Sequence, residues 1–316
     1  MHAILILNDA AGSLNGDRDV VTASAVADAF QEEGMPVQLR AAPAGQLCET
    51  IQAALKEQPA AIFVGGGDGS ISTAAACLAG TETPLGVLPL GTLNHFAHDL
   101  GLPNGWREAV TALAHGTTRV VDVAEVNGRV FINNCSIGSY ADAVRKREAL
   151  RRFHGTGKWW AMTLATITVF RRLRRLRLRI ETNDTHFALR TPFVVISNNR
   201  YTGRVLDYSL RPRLDEGRLW VYTTRARRHG DMLRFIWQSL VRSIDSVDGL
   251  EIIETHEAKI SHEYARLAVA VDGELITLEA PLQFRIRHEA LRVMVPQKAD
   301  GAASKPTLPT TLPHPV

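Results

Sequence analysis

The chain has 316 residues, 45% of them hydrophobic, enough apolar material for two domains with cores of their own. A charged share of 22% and a net charge of +3 are ordinary, so the placement of charge matters more than its total. Three cysteines, Cys48, Cys77 and Cys135, make a poor disulfide framework and lack metal-ligand spacing; among apolar or small neighbours they read as buried reduced thiols, which fits a reducing cytosol. Met1-His2-Ala3-Ile4-Leu5-Ile6-Leu7 lacks a basic leader and a small-residue cleavage site and reads as a first strand. The longest apolar stretch, Trp159–Phe170, is shorter than the ~20 residues of a spanning helix, so a soluble or surface-bound protein is expected.

Strand and helix signals alternate through residues 1–121. Ala3–Leu7 is continuously apolar, the pattern of a buried parallel strand. Val20–Glu33 carries Val26, Ala29 and Phe30 at helical spacing and stops at Gly34. Val37–Arg40 predicts a second strand, Gln46–Glu57 a helix, and Ala60–Val64 a buried strand running into glycines. Ser70–Leu78 follows as a small-residue helix and Pro84–Leu88 as a strand, an order that predicts an open α/β sheet with ligand loops at the strands' carboxyl ends. From residue 122 to 296 the pattern is different. Val123–Val126 and Val130–Asn133 flank the turn signal Asn127-Gly128, and a long basic helical segment lies near 141–173. Period-2 strands then dominate at Leu176–Ile180, Phe193–Ser197, Leu219–Thr223, Ala265–Val271, Leu275–Leu278 and Leu282–Ile286, with a helix near Asp231–Ile244. This second domain is predicted to be mostly antiparallel β. The tail 297–316 is rich in Pro, Ala, Ser and Thr, lacks periodicity and is expected to be disordered.

Val64-Gly65-Gly66-Gly67-Asp68-Gly69-Ser70 joins a predicted strand to a predicted helix. Such a junction leaves backbone N–H groups free for phosphate oxygens, and glycine admits an approach that a Cβ would block. The loop has neither the Gly-Lys-Ser/Thr of a P-loop nor Gly-x-Gly-x-x-Gly spacing. Asp68 would repel phosphates unless a cation lay between, which implies Mg²⁺ or a part in orienting an acceptor hydroxyl. An ordinary Asp-Gly turn is the competing reading, and the glycines clustered at one strand-to-helix junction weigh against it.

Gly66-Gly67-Asp68-Gly69-Ser70 followed by Pro89-Leu90-Gly91-Thr92-Leu93-Asn94 resembles the catalytic domain of the diacylglycerol kinase and sphingosine kinase superfamily, the bacterial soluble lipid kinases in particular. The similarity runs over about residues 1–295, through Asn8 and Gly12, Asp122, Asn133-x-x-Ser136-x-Gly138 and Asp272-Gly273-Glu274. It implies an NAD-kinase/diacylglycerol-kinase-like α/β domain followed by an antiparallel β-sandwich domain. It also implies ATP and Mg²⁺ as cofactors, and transfer of the γ-phosphate to a hydroxyl of a diacylglycerol-like membrane lipid. The residues matched to the nucleotide are Asn8, Gly12, Gly65, Gly66, Gly67, Asp68, Gly69, Ser70, Thr92 and Asn94. On spacing alone, Thr92 and Asn94 would sooner cap the next helix.

Asp272-Gly273 reads as a tight hairpin between period-2 strands, and the resemblance makes Glu274 on that hairpin the general base, with Asp272 orienting it or helping to bind metal. A hairpin is also a rigid mount, so both readings can hold. Leu214–Leu219 resembles a segment where some bacterial members hold a structural Mg²⁺, which makes Glu216 a second candidate metal ligand beside Asp68; Arg211, Arg213 and Arg218 oppose a cation there. Three departures stand out. Asn94-His95-Phe96-Ala97 has imidazole where many diacylglycerol kinases have a carboxylate, Asp9 replaces a proline, and no lysine follows Gly12. They leave the acceptor unnamed and motivate a catalytically weak lipid-binding protein as an alternative.

Between Arg145 and Arg179 basic residues face a single acid, Glu148, and Trp159, Trp160 and Phe170 lie among them. Basic side chains with interfacial aromatics suit an anionic membrane surface, at ~1 kcal/mol per nearby basic residue. Nucleic acid is disfavoured, although arginine clusters also bind phosphate backbones. The expected setting is cytoplasmic and peripheral to a membrane, with oligomeric state open, a homodimer included. A sphingoid-base or other lipid kinase and an NAD kinase are the rival enzymes.

Overall fold

The computed structural model describes residues 2–8, 21–43, 45–138, 175–203, 211–224 and 229–297. Gly12, the basic run up to residue 174 with its tryptophans, and the tail from 298 lie outside the described residues. No helix among the described residues is long and apolar enough to cross a membrane.

Strands β1 (Ala3–Asn8), β2 (Val37–Ala42), β3 (Ala61–Gly66) and β4 (Leu85–Pro89) pair in parallel in the order β2-β1-β3-β4. Every residue of β3 and β4 is buried, as continuous apolar runs require when both sheet faces are covered. Helices α1 (Ala23–Glu32) and α5 (Trp106–Ala114) pack on each other, as do α2 (Leu47–Leu55) and α3 (Asp68–Leu78). Thr22 caps α1 through its side chain, which accepts the Ala25 N–H. The short α4 (His95–Asp99) follows β4.

Beyond it come β5 (Thr117–Val126), β6 (Arg129–Phe131), β7 (Asn134–Gly138), β8 (Leu176–Thr182), β9 (His186–Thr191), β10 (Phe193–Asn198) and β11 (Leu219–Thr224). Helix α6 (His229–Val241) precedes β12 (Leu250–Thr255), β13 (Glu257–Ser261), β14 (Arg266–Val271), β15 (Glu274–Glu279) and β16 (Leu282–Val295). Among the described residues they form two sheets. One continues from β4 through β16, β13, β8 and β9; the other runs β12-β11-β10-β7-β14-β15 and is antiparallel throughout. Their facing sides enclose a second core that includes Phe131, Ile137, Ile180, Ile196, Val221, Val269 and Phe284. The chain is thus an α/β domain with an antiparallel β-sandwich behind it.

The expected turns form as read: Asn127 and Gly128, then Asp272 and Gly273, all have positive φ, which two-residue hairpins of this twist require. Strand β16 runs nine residues past the expected Ile286. Its register against β5 shifts between Arg287 and Leu291, where Glu289 has φ of +51°, so a bulge interrupts the alternation that marks a strand. Past the bulge, Leu291, Val293 and Met294 enter the first core and Val293 pairs with Leu85 of β4, returning the chain to its N-terminal half.

The cysteine expectation is corrected. Cys48 on α2 and Cys77 on α3 form a disulfide with Cα atoms 5.8 Å apart; only Cys135 is a buried free thiol. Two residues that look like buried helix positions in isolation meet because α2 and α3 pack on each other. With the two cysteines 29 positions apart, C48S is expected to lower stability by about 3–4 kcal/mol, measured by urea unfolding under oxidising conditions.

Candidate active site

The glycine loop lies where β3 ends and α3 begins, with Leu7 of β1 paired to Gly65 and Asn8 one residue further along. Gly67 is the N-cap of α3, with φ of −87° and no side-chain cap, so the helix opens with its N-terminal amides uncapped by a side chain. The glycines divide into two groups. A Cβ on Gly65 would strike Leu7 and Leu90, one on Gly66 would lie 2.6 Å from Ser70, and one on Gly91 would lie 2.5 Å from the Cα of Gly67. The Gly65 clash is with movable leucine methyls, that at Gly66 with the Ser70 side chain, and only that at Gly91 is with backbone, so packing restricts Gly91 most tightly. Gly67 would meet only the Gly91 Cα at 3.6 Å and Gly69 nothing within 4 Å, and neither has positive φ. Those two glycines leave open space that a close-approaching ligand can use.

The β4–α4 loop lies against the first through Gly91 and Gly67. Asn94, at φ of +51°, folds its amide back: Oδ1 accepts the Gly91 N–H at 2.9 Å and Nδ2 donates to the Gly91 and Pro89 carbonyls at 2.9 and 3.4 Å. It stands at the N-cap of α4 yet makes no side-chain cap bond, so its amide shapes its own loop. Thr92 is exposed at the loop's tip. The backbone N–H of His95 donates to Asp68 Oδ1 at 2.8 Å, which pins one carboxylate oxygen.

The third component comes from the far end of the chain. Ser72, one turn beyond Asp68 on α3, donates to Asp272 Oδ2 at 2.6 Å. Asp272 also accepts the backbone N–H groups of Ile132, Asn133 and Asn134 at 2.9, 2.8 and 3.1 Å. Burial pushes its carboxyl above the ordinary range, and Ser72 with the three amides opposes that shift. Four donors occupy the carboxylate, so Asp272 is the clasp that holds the β14–β15 hairpin against α3 and has no oxygen presented for a metal. Glu274, next on that hairpin, is exposed, with Oε2 2.6 Å from an Arg129 guanidinium nitrogen. Burial, reinforced by the Asp272 charge, keeps the nearby Cys135 thiol protonated.

A buried network that the sequence did not reveal joins the two halves. Arg211 is 1% exposed. Its Nε donates to Asp99 Oδ2 at 2.9 Å and its backbone N–H to Asp99 Oδ1 at 3.0 Å. Its remaining nitrogens reach the Ile132 and Asn198 carbonyls and, at 2.7 Å, Asn133 Oδ1. Arg211 therefore points to α4, away from the 214–219 segment it was expected to crowd. At Glu216, Oε2 is buried without a hydrogen-bond partner, while among the described residues no three His, Cys, Asp or Glu side chains gather around a cation position. Neighbouring Asp215 is held by Arg119 and Arg213 at 2.9 and 3.2 Å; burial would raise its carboxyl, but these arginines hold it below the usual range. Asp122, fully buried, gathers the Gly217 N–H, the Glu289 N–H and His288 Nδ1 at 2.7–2.8 Å, so protein donors secure this segment.

Residues 2–126 match the family model described as diacylglycerol kinase catalytic domain, and residues 133–295 match the YegS C-terminal NAD kinase beta sandwich-like domain. Curated relatives named probable lipid kinase YegS, from Escherichia coli O1:K1 and Shigella boydii serotype 18, are 34% identical over 120 residues, 36% of this chain and 40% of theirs. The match thus spans about 40% of the length of those relatives. Two solved structures from Bacillus anthracis str. Sterne, described as a diacylglycerol kinase and a putative diacylglycerol kinase, superpose with TM-scores of 0.68 and 0.71 at 18% and 19% identity, covering 93% of this chain and 96% of theirs. At that identity they establish the shared fold.

Proposed function

The chain belongs to the family of the YegS C-terminal NAD kinase beta sandwich-like domain, with a match to the diacylglycerol kinase catalytic domain ahead of it, and from that premise we propose that it is an ATP-dependent lipid kinase acting on a diacylglycerol-like membrane lipid. The observation that carries this reading is the Ser72–Asp272 bond, which fastens the hairpin bearing Glu274 one helical turn from Asp68 and the glycine loop. Phosphoryl transfer is chiefly a matter of positioning and charge, and this clasp brings a base-bearing hairpin beside a phosphate-binding helix start.

The uncapped start of α3 and the open space at Gly67 and Gly69 receive the phosphates. Arg129 holds Glu274 Oε2, leaving Oε1 to accept the proton of the lipid hydroxyl. The hydroxyl oxygen then bonds to the γ-phosphorus, the bond to the β,γ-bridging oxygen breaks, and ADP departs with that negative charge. One oxygen of Asp68 is pinned by His95, and the other has no partner among the described residues. One carboxylate with phosphates and water is a set that Mg²⁺ accepts, so Asp68 fits the ion. Bound there, the cation would neutralise charge between Asp68 and the phosphates. A protein that meets its substrate at a membrane surface accords with this chemistry.

Incubation with labelled ATP and separate samples of diacylglycerol, sphingoid base and NAD tests the reading. Labelled lipid is expected; label in NAD alone would overturn it. The two glycine groups give a second check. G67A and G69A are expected to weaken nucleotide binding about tenfold or more with melting temperature nearly unchanged, whereas G91A should cost about 1–3 kcal/mol of stability because its Cβ meets backbone.

A further inference from the structure

Many arginines elsewhere on the described surface sit on carboxylates, such as Arg40 on Glu57, Arg119 on Asp215, Arg218 on Glu254, Arg266 on Glu279 and Arg292 on Glu82, and Arg107 lies over the Trp106 ring. One sheet face departs from this. Arg177 of β8 stands directly opposite Arg190 of β9, and Arg179 follows on the same side of β8. All three are exposed, while the intervening Leu178, Ile180 and Leu189 are buried in the core between the sheets. Strand alternation therefore turns the three guanidinium groups to the outer side of the sheet. Among the described residues none of them has a carboxylate partner. The next acid on that face, Glu181, is taken by Lys259 at 3.4 Å.

Like charges directly opposite on neighbouring strands repel, and their Cβ atoms are only about 4.5–5.5 Å apart. That spacing is inside the ~8 Å Debye length at physiological salt, so small ions screen the repulsion incompletely. Anions laid against the face remove the cost. We propose that the outer face of the β8–β9 hairpin docks on an anionic lipid bilayer through Arg177, Arg179 and Arg190. This rests on the lipid-kinase reading and adds Arg190, which lies outside the basic run. The charge pattern complements a planar array of anionic headgroups. A nucleic-acid strand fits less well, because its bases call for aromatic platforms beside the cations. Phe187, the aromatic residue of β9, is packed inward against the core.

Cosedimentation of the full chain with vesicles of phosphatidylcholine alone, or with about 30 mol% phosphatidylglycerol, tests the proposal. The wild type is expected to bind the anionic vesicles only. R177Q/R190Q should bind them about thirtyfold more weakly, the usual contribution of two basic residues near such a surface, and salt should narrow the gap. Loss of a repelling pair should leave the melting temperature unchanged or higher, which separates lost docking from unfolding. Equal vesicle binding by variant and wild type overturns the proposal, as does a wild-type preference for a single-stranded oligonucleotide. Phosphorylation of short-chain diacylglycerol in uncharged micelles keeps the two readings apart. The variant should match the wild type there; an inactive wild type would remove the kinase reading, and vesicle binding would still judge this surface.

Discussion

E274Q is expected to lower kcat on lipid by about 10²- to 10⁴-fold, the usual contribution of a positioned general base. The amide keeps the shape of the side chain and can still accept from Arg129, but it cannot take the hydroxyl proton. Because Glu274 is two-thirds exposed and its pair with Arg129 is also exposed, the variant should fold with little change in melting temperature. Binding of a non-hydrolysable ATP analogue should be retained, since the hairpin is held by Asp272 rather than by Glu274. Initial rates on labelled ATP give the test. Full activity in E274Q would remove this residue from the chemistry and leave the hairpin as a structural clasp.

R211L is expected to cost about 3–5 kcal/mol of stability, the largest single-residue effect foreseen for the fold. The side chain is enclosed, and burial works against its charge while Asp99 more than restores it. Without the guanidinium, Asp99, itself 4% exposed, is left as an uncompensated buried charge. The Ile132 and Asn198 carbonyls and the Asn133 side chain also lose their donor. Urea denaturation of the single variant and of D99L/R211L measures both contributions. The double variant should recover part of the loss, because the stranded carboxylate is gone while the bare carbonyls remain. A loss below about 1 kcal/mol in R211L would show that the network is not holding the two halves together.

Residues whose purpose is local were legible in the chain. The βα alternation, the glycine loop, both Asx-Gly hairpins and the position of Glu274 on one of them can be read from runs of ten residues or fewer, because turn chemistry and side-chain period act over that range. Resemblance to a known family supplied the role of Glu274, which spacing alone would have left as a turn. The short strands β9, β12 and β13 and the helix α5 were not anticipated. Their patterns are brief and become decisive only once neighbouring strands or helices bury one face.

By itself, the sequence determined the class of the fold, the two loops that meet at the strand ends, and the hairpin that carries Glu274. What only the tertiary structure decided is which groups are consumed in holding those parts together. Asn94 and Asp272 looked available for ligand or metal, yet each has its polar atoms engaged by protein donors and acceptors. Arg211 looked like a surface charge beside Glu216 and is instead the buried partner of Asp99. The reason is that hydrogen-bond satisfaction and charge pairing are set by distances in space, and here they join residues separated by as many as 210 positions. The Cys48–Cys77 disulfide and the facing pair Arg177 and Arg190 follow the same rule: each residue is unremarkable in sequence, and helix packing or strand register gives it its partner.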